Sequence, residues 1–141
     1  MKHDLSFRMQ VFIDAEPAVV WRTLTDSDLL GRWWNTVRSS EWRTGGLVVF
    51  DVGEEYRIDC EVLEIDPPRR LVTTFDCDQY PEHPPTRVTW DIEPAEGGSM
   101  LRMAHDGFPS ADRGLHDVCI HWPTMIADLK RISEGDLAEV R

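Results

Sequence analysis

Histidines, cysteines and tryptophans are the side chains here with the chemistry to hold or act on a small molecule. His105 lies in SMLRMAHDGF on the same period-2 face as Leu101 and Met103. A lone imidazole there would orient a ligand or exchange a proton near neutral pH. A strand-end histidine bonded to backbone or solvent is the plainer alternative. Cys60 has the same facing in YRIDCEVLEI, so a thiol and imidazole pair is conceivable. No spacing requires the two to meet, and a thiol in apolar surroundings has a raised, unreactive pKa. His116 and His121 stand five apart on a helical pattern, about 140° around its axis, and do not chelate one metal as an i, i+4 pair does. The acidic pairs Glu54-Glu55 and Asp76/Asp78 flank turns or strand ends, where carboxylates are ordinarily solvated. The nucleophile elbow, the phosphate-binding loop, the dinucleotide fingerprint and H-E-x-x-H are all missing from the sequence. No catalytic residue, metal or organic cofactor is therefore expected.

The tryptophans are the unusual feature. Two of the six are adjacent, Trp33 and Trp34 in DLLGRWWN. Neighbours point about 100° apart on a helix and to opposite faces of a strand, so the two rings are not expected to serve one core surface. One ring is expected to pack under another element and the other to reach a cavity rim or lie on the surface, with the order of the two left open.

The elements that must position these groups follow from periodicity and punctuation. LSFRMQVFI, from Leu5 to Ile13, alternates as a half-buried strand, with Phe12 out of step. Asp14-Ala15-Glu16-Pro17 reads as a helix start, and Asp26 or Ser27 caps a second short helix over SDLLGRWW. From Val37 to about Phe108 the pattern is strands and hairpins, broken at Gly45-Gly46, at Gly53 to Glu55, at Asp66-Pro67-Pro68, by a loop over 81–85, and at Gly97-Gly98. A closing helix recurs at three- and four-residue spacing through Leu115, Val118, Cys119, Trp122, Met125, Ile126, Leu129 and Ile132, ending near Glu134. Pro123 either kinks that helix or marks where its regular part begins.

Strand parity selects an inner surface. Tyr56, Ile58, Cys60 and Val62 share one face, as do Leu71, Thr73, Phe75 and Cys77, then Val88, Trp90 and Ile92, then Leu101, Met103 and His105. The surface is aromatic and sulfur-rich, which suits a pocket for an apolar or aromatic molecule and equally a plain core. The expected cavity residues are Trp33, Trp34, Tyr56, Cys60, Phe75, Trp90, Met103 and His105, with Trp122 and Met125 on the inner stripe of the long helix.

The 141 residues suffice for one domain, expected over 1–141. A net charge of −11 repels phosphate backbones and anionic lipid, so nucleic acid and membrane are not expected partners. Three cysteines, Cys60, Cys77 and Cys119, with no C-x-x-C pair argue against a disulfide framework and read as reduced core thiols. The N-terminus, MKHDLSFRMQVF, carries charges where a signal peptide would have its apolar stretch, so a cytoplasmic location is expected.

Several segments carry a resemblance to a known family. They are VWRTLTDSDLLGRWW, the GG-x-V-x-F segment at 45–50, EVLEIDPPRRLVTTF at 61–75, VTWDIEP at 88–94, and the closing helix with Trp122 and Leu129. In this order they resemble the START-like (SRPBCC) helix-grip superfamily, in the branch named after the activator of heat-shock-protein ATPase. The resemblance implies an α+β helix-grip fold, a bent antiparallel sheet wrapped around a long C-terminal helix with two short helices after the first strand. It also implies a cavity between sheet and helix. A small hydrophobic or aromatic ligand is thus the expected partner, bound by a monomer or homodimer. The alternatives are a polyketide cyclase or hydrolase-like enzyme, and a protein-interaction or chaperone-cofactor module. The eukaryotic namesake has a further N-terminal domain, so stimulation of a heat-shock ATPase is not expected of this chain.

Overall fold

The computed structural model describes residues 4–81 and 83–135; the first residues of the charged N-terminus and one position in the loop over 81–85 lie outside it. Strand β1 (Leu5–Ile13) directs Phe7, Met9, Val11 and Ile13 toward the core and leaves Phe12 exposed, as the alternation predicts. Helix α1 (Pro17–Thr25) opens on Pro17, whose fixed φ suits a first turn. The Asp26 carboxylate accepts hydrogen bonds from the amides of Asp28 and Leu29 and so caps α2 (Ser27–Trp33).

Six strands follow: β2 (Thr36–Ser40), β3 (Leu47–Val52), β4 (Tyr56–Asp66), β5 (Arg70–Cys77), β6 (Thr86–Ala95) and β7 (Gly98–Phe108). Each pairs antiparallel with the next, and β7 returns to β1, giving the order β1-β7-β6-β5-β4-β3-β2. The β6–β7 hairpin turns through Glu96 and Gly97, with Gly97 at φ 82°, a conformation that glycine adopts without strain. A bulge between Val62 and Glu64 bends β4 and leaves Leu63 41% exposed beside the buried Val62.

Helix α3 (Arg113–Ser133) crosses the concave face of this sheet. Asp112 caps it by accepting from the Leu115 amide at 3.0 Å. Trp122, Ile126, Leu129 and Ile132 are buried beneath it. The helix runs through Pro123 rather than beginning there. The carbonyl that Pro123 leaves without a donor belongs to Cys119, which is exposed, so water can satisfy it. Cys119 is thus not on the inner stripe that its spacing suggested, and of the three thiols only that of Cys60 is fully buried.

The adjacent tryptophans are resolved by where α2 stops. Trp33 is its last residue, and Trp34 has φ −129° and ψ −102°, which is neither helix nor strand. The change of direction turns both rings inward, stacked at 5.9 Å and 19°, contrary to the expectation that neighbours must diverge. Trp33 is 3% exposed and its indole N–H donates to the Thr23 carbonyl at 2.9 Å. Thr23 in turn accepts at Oγ1 from Ser133, tying α1 to the end of α3.

Trp33→Phe would leave the Thr23 carbonyl without its donor, at a cost of about 1–3 kcal/mol. Urea denaturation is expected to show that loss for Trp33→Phe and a smaller one for Trp34→Phe, for which no indole hydrogen bond is seen. Equal losses would contradict the assignment.

Candidate functional site

A cavity of about 300 Å³ lies between the sheet and the N-terminal half of α3. The helix supplies Gly114, Asp117, Val118, His121, Trp122 and Met125, a stripe at three- and four-residue spacing. The sheet supplies Ile58, Phe75, Cys77, Thr86 and Phe108, and the chain leaving α2 adds Trp34 and Asn35. The segment between β5 and β6 covers one side with Gln79, Tyr80 and His83.

One wall is aromatic. The Trp34 ring lies 5.2 Å from Trp122 and 6.3 Å from Phe75, and Phe75 meets Trp122 at 6.5 Å. The opposite end is polar. The Tyr80 hydroxyl donates to Asp117, and burial, then this hydrogen bond, pushes its pKa up to about 12, so it stays protonated. The ring of His83 sits close over Gly114, where an added Cβ would be 3.2 Å from the imidazole, so the absence of a side chain there lets the segment approach α3. His83 Nε2 is 3.2 Å from Asp112 without hydrogen-bond alignment, while Nδ1 is 2.8 Å from the Pro84 carbonyl. Cys77 lines the cavity as a thiol whose pKa is raised by burial.

His105 stands behind this lining, fully buried, with both ring nitrogens engaged. The Trp122 indole can only donate, so Nδ1 accepts from it at 3.0 Å. The proton is therefore on Nε2, which donates to Thr86 Oγ1 at 2.7 Å, and Thr86 donates onward to the Phe75 carbonyl at 3.3 Å. Burial, with a smaller contribution from His83, lowers the His105 pKa to about 3. The ring is thus neutral and committed, with no nitrogen free for a guest.

The positions expected from sequence divide accordingly. Trp34, Phe75, Trp122 and Met125 line the cavity. Trp33, Cys60, Trp90 and Met103 do not: they are buried in the filled part of the core. Trp90 meets Trp33 and Trp122 edge to face at 5.9 and 5.6 Å, and the gap it lines with Trp33 and Cys60 is only about 20 Å³, too small for a guest. Cys60 is hydrogen-bonded to Thr73, and burial pushes its thiol up to about 12; it does not meet His105. Tyr56 has the right parity but is 37% exposed, because it opens β4 directly after the hairpin turn at Gly53 and faces solvent among Arg57 and Asp78. Tyr80, His83, Asp117 and His121 were not anticipated. The last two continue the stripe of Trp122 and Met125 at helical spacing, which was the available signal. Among the described residues no three His, Cys, Asp or Glu side chains gather as a metal site, and no helix is long and apolar enough to cross a membrane.

A bent antiparallel sheet gripping a long C-terminal helix, with two short helices after the first strand, defines the START-like helix-grip class. The family model described as Activator of Hsp90 ATPase homolog 1-like protein matches residues 14–134, and the chain belongs to that family. Protein MLL2253 of Mesorhizobium loti is 25% identical, with a TM-score of 0.82 over 90% of this chain and 95% of that one. Protein CV1439 of Chromobacterium violaceum is 22% identical, with a TM-score of 0.81 over 92% and 97%. Aha1 of Colwellia psychrerythraea, solved in solution as a dimer, is 18% identical, with a TM-score of 0.80 over 93% and 97%. No curated protein matches the chain in sequence.

A pH dependence follows from His105. Below its ordinary pKa of 6.5 the unfolded chain takes up a proton that the folded chain refuses until about pH 3. The stability tied to this ring is therefore complete above pH 6.5 and is lost as pH falls toward 3, by at most about 1.4 kcal/mol per pH unit. Urea midpoints measured on the acid side of neutrality should fall more steeply for the native chain than for His105→Gln. Parallel profiles would contradict the neutral, buried assignment.

Proposed function

We propose that this chain binds a small apolar or aromatic molecule in the cavity between the sheet and α3, acting as a single domain in the cytoplasm, alone or as a homodimer. The supporting observation is the wall formed by Trp34, Phe75 and Trp122 around about 300 Å³ of space, the lower end of ordinary ligand pockets. A guest burying about 300 Å² of apolar surface gains about 7.5 kcal/mol at 25 cal/mol per Å², close to the 8 kcal/mol of micromolar binding in a preformed site.

The enzyme reading has one observation in its favour, the histidine His83 beside the carboxylate of Asp112 at the cavity. A general base needs one ring nitrogen facing its substrate. Here Nδ1 is held by the Pro84 carbonyl and Nε2 faces Asp112, so neither is presented to a guest. Binding without turnover is the better supported reading.

Intrinsic fluorescence titrated with flat aromatic and fatty-acid probes should change saturably. Trp34→Ala should weaken the best probe by about tenfold, the loss of one desolvated aromatic wall. Trp90→Ala should lower stability while leaving the affinity of the folded protein nearly unchanged. If no probe saturates, or if Trp34→Ala binds as the native chain does, the cavity is not a ligand site.

A further inference from the structure

The polar end of the cavity limits what an aromatic guest can carry. Among the described residues Asp117 is the one carboxylate on the lining, and no Lys or Arg side chain lines it. Its Oδ2 is occupied by the Tyr80 hydroxyl. Among the described residues Oδ1 has no hydrogen-bond partner, although a carboxylate oxygen readily accepts two. The nearest fixed cation, Arg113, is 70% exposed; its Nε is 3.9 Å from Oδ2 and its guanidinium lies 5.1 Å over the Tyr80 ring. It lies over the Tyr80 ring and pairs with Asp117 only at this long distance, with no hydrogen bond to either carboxylate oxygen among the described residues.

Asp117 precedes Trp122 by five residues, about 7.5 Å along the helix axis, with Val118 and His121 on the intervening surface. A guest whose rings stack against Trp34 and Trp122 therefore has room for a short linker before reaching Asp117. An ammonium group there gains the carboxylate and also the negative faces of the aromatic wall. A carboxylate in the same place meets Asp117 and the −11 net charge of the whole chain. The other titratable groups facing this end are His121, at the exposed mouth, His83, already held between Asp112 and Pro84, and Tyr80, which is protonated.

We infer that the cavity selects a flat aromatic amine, with its rings on Trp34, Phe75 and Trp122 and its ammonium donating to Asp117 Oδ1. This inference rests on the proposal that the cavity is a ligand site.

Isothermal titration calorimetry with tryptamine, its uncharged ethyl analogue and its propionate analogue tests it on the full chain. The titration is run at about pH 8, where the amine stays protonated. Tryptamine should bind about tenfold more tightly than the ethyl analogue, as a charge-assisted hydrogen bond predicts, and the propionate should bind most weakly. Asp117→Asn should bring tryptamine down to the affinity of the ethyl analogue. Tyr80→Phe, which frees Oδ2, should keep or widen the preference. If the ethyl analogue binds as well as tryptamine, or if Asp117→Asn leaves the preference intact, the amine assignment fails while the cavity reading stands. If none of the three binds, both fall.

Discussion

The buried indole N–H of Trp122 is a donor that water does not reach, and much of the architecture is arranged around its acceptor. A buried donor left unpaired costs about 1–3 kcal/mol, so the histidine opposite it must present a lone pair. That requirement fixes the tautomer of His105, then the direction of the Thr86 hydroxyl, then its bond to the Phe75 carbonyl. One chain of polarity thereby joins α3 to three neighbouring strands, β7, β6 and β5. It also removes His105 from chemistry: a ring with both nitrogens committed and a pKa near 3 neither takes nor gives protons at neutral pH.

Trp122 also divides the space under the helix. On the side of the C-terminal half of α3 its ring meets Trp90, and beyond them Trp33, Leu129 and Ile132 fill the interior. On the side of the N-terminal half it meets Trp34 and Phe75, and there the interior opens into the cavity. The end of α2 between Trp33 and Trp34 places one ring in each region, which is the use this chain makes of its adjacent tryptophans. The filled region carries the stability and the open region is the proposed ligand site, so substitutions in the two are expected to separate.

The sheet and helices were legible because alternation and helical spacing are strong in this chain and are interrupted by Gly, Pro and Asp at the turns. The family resemblance supplied their arrangement. Parity told inner from outer correctly for Phe75, Trp90 and His105, but parity is blind to whether an inner position borders space. Phe75 and Trp90 sit on adjacent strands with the same facing; only their position along α3 makes one a cavity wall and the other core. Tyr56 fits the alternation yet opens its strand beside the turn at Gly53 and stays exposed. Tyr80 and His83 belong to an irregular segment with no period to read, held in place by contacts to Asp117 and across Gly114 that exist only after folding.

The central claim is that a guest occupies the space between Trp34 and Trp122. The most direct measurement is nitrogen–proton correlation NMR of the six indole groups, assigned by substitution, during titration with an aromatic guest. The account predicts the largest shifts at Trp34 and Trp122, with Trp33 and Trp90 moving less and the outlying Trp21 and Trp42 least. Largest shifts at Trp21 or Trp42, or six unmoved resonances at saturating guest, would contradict it.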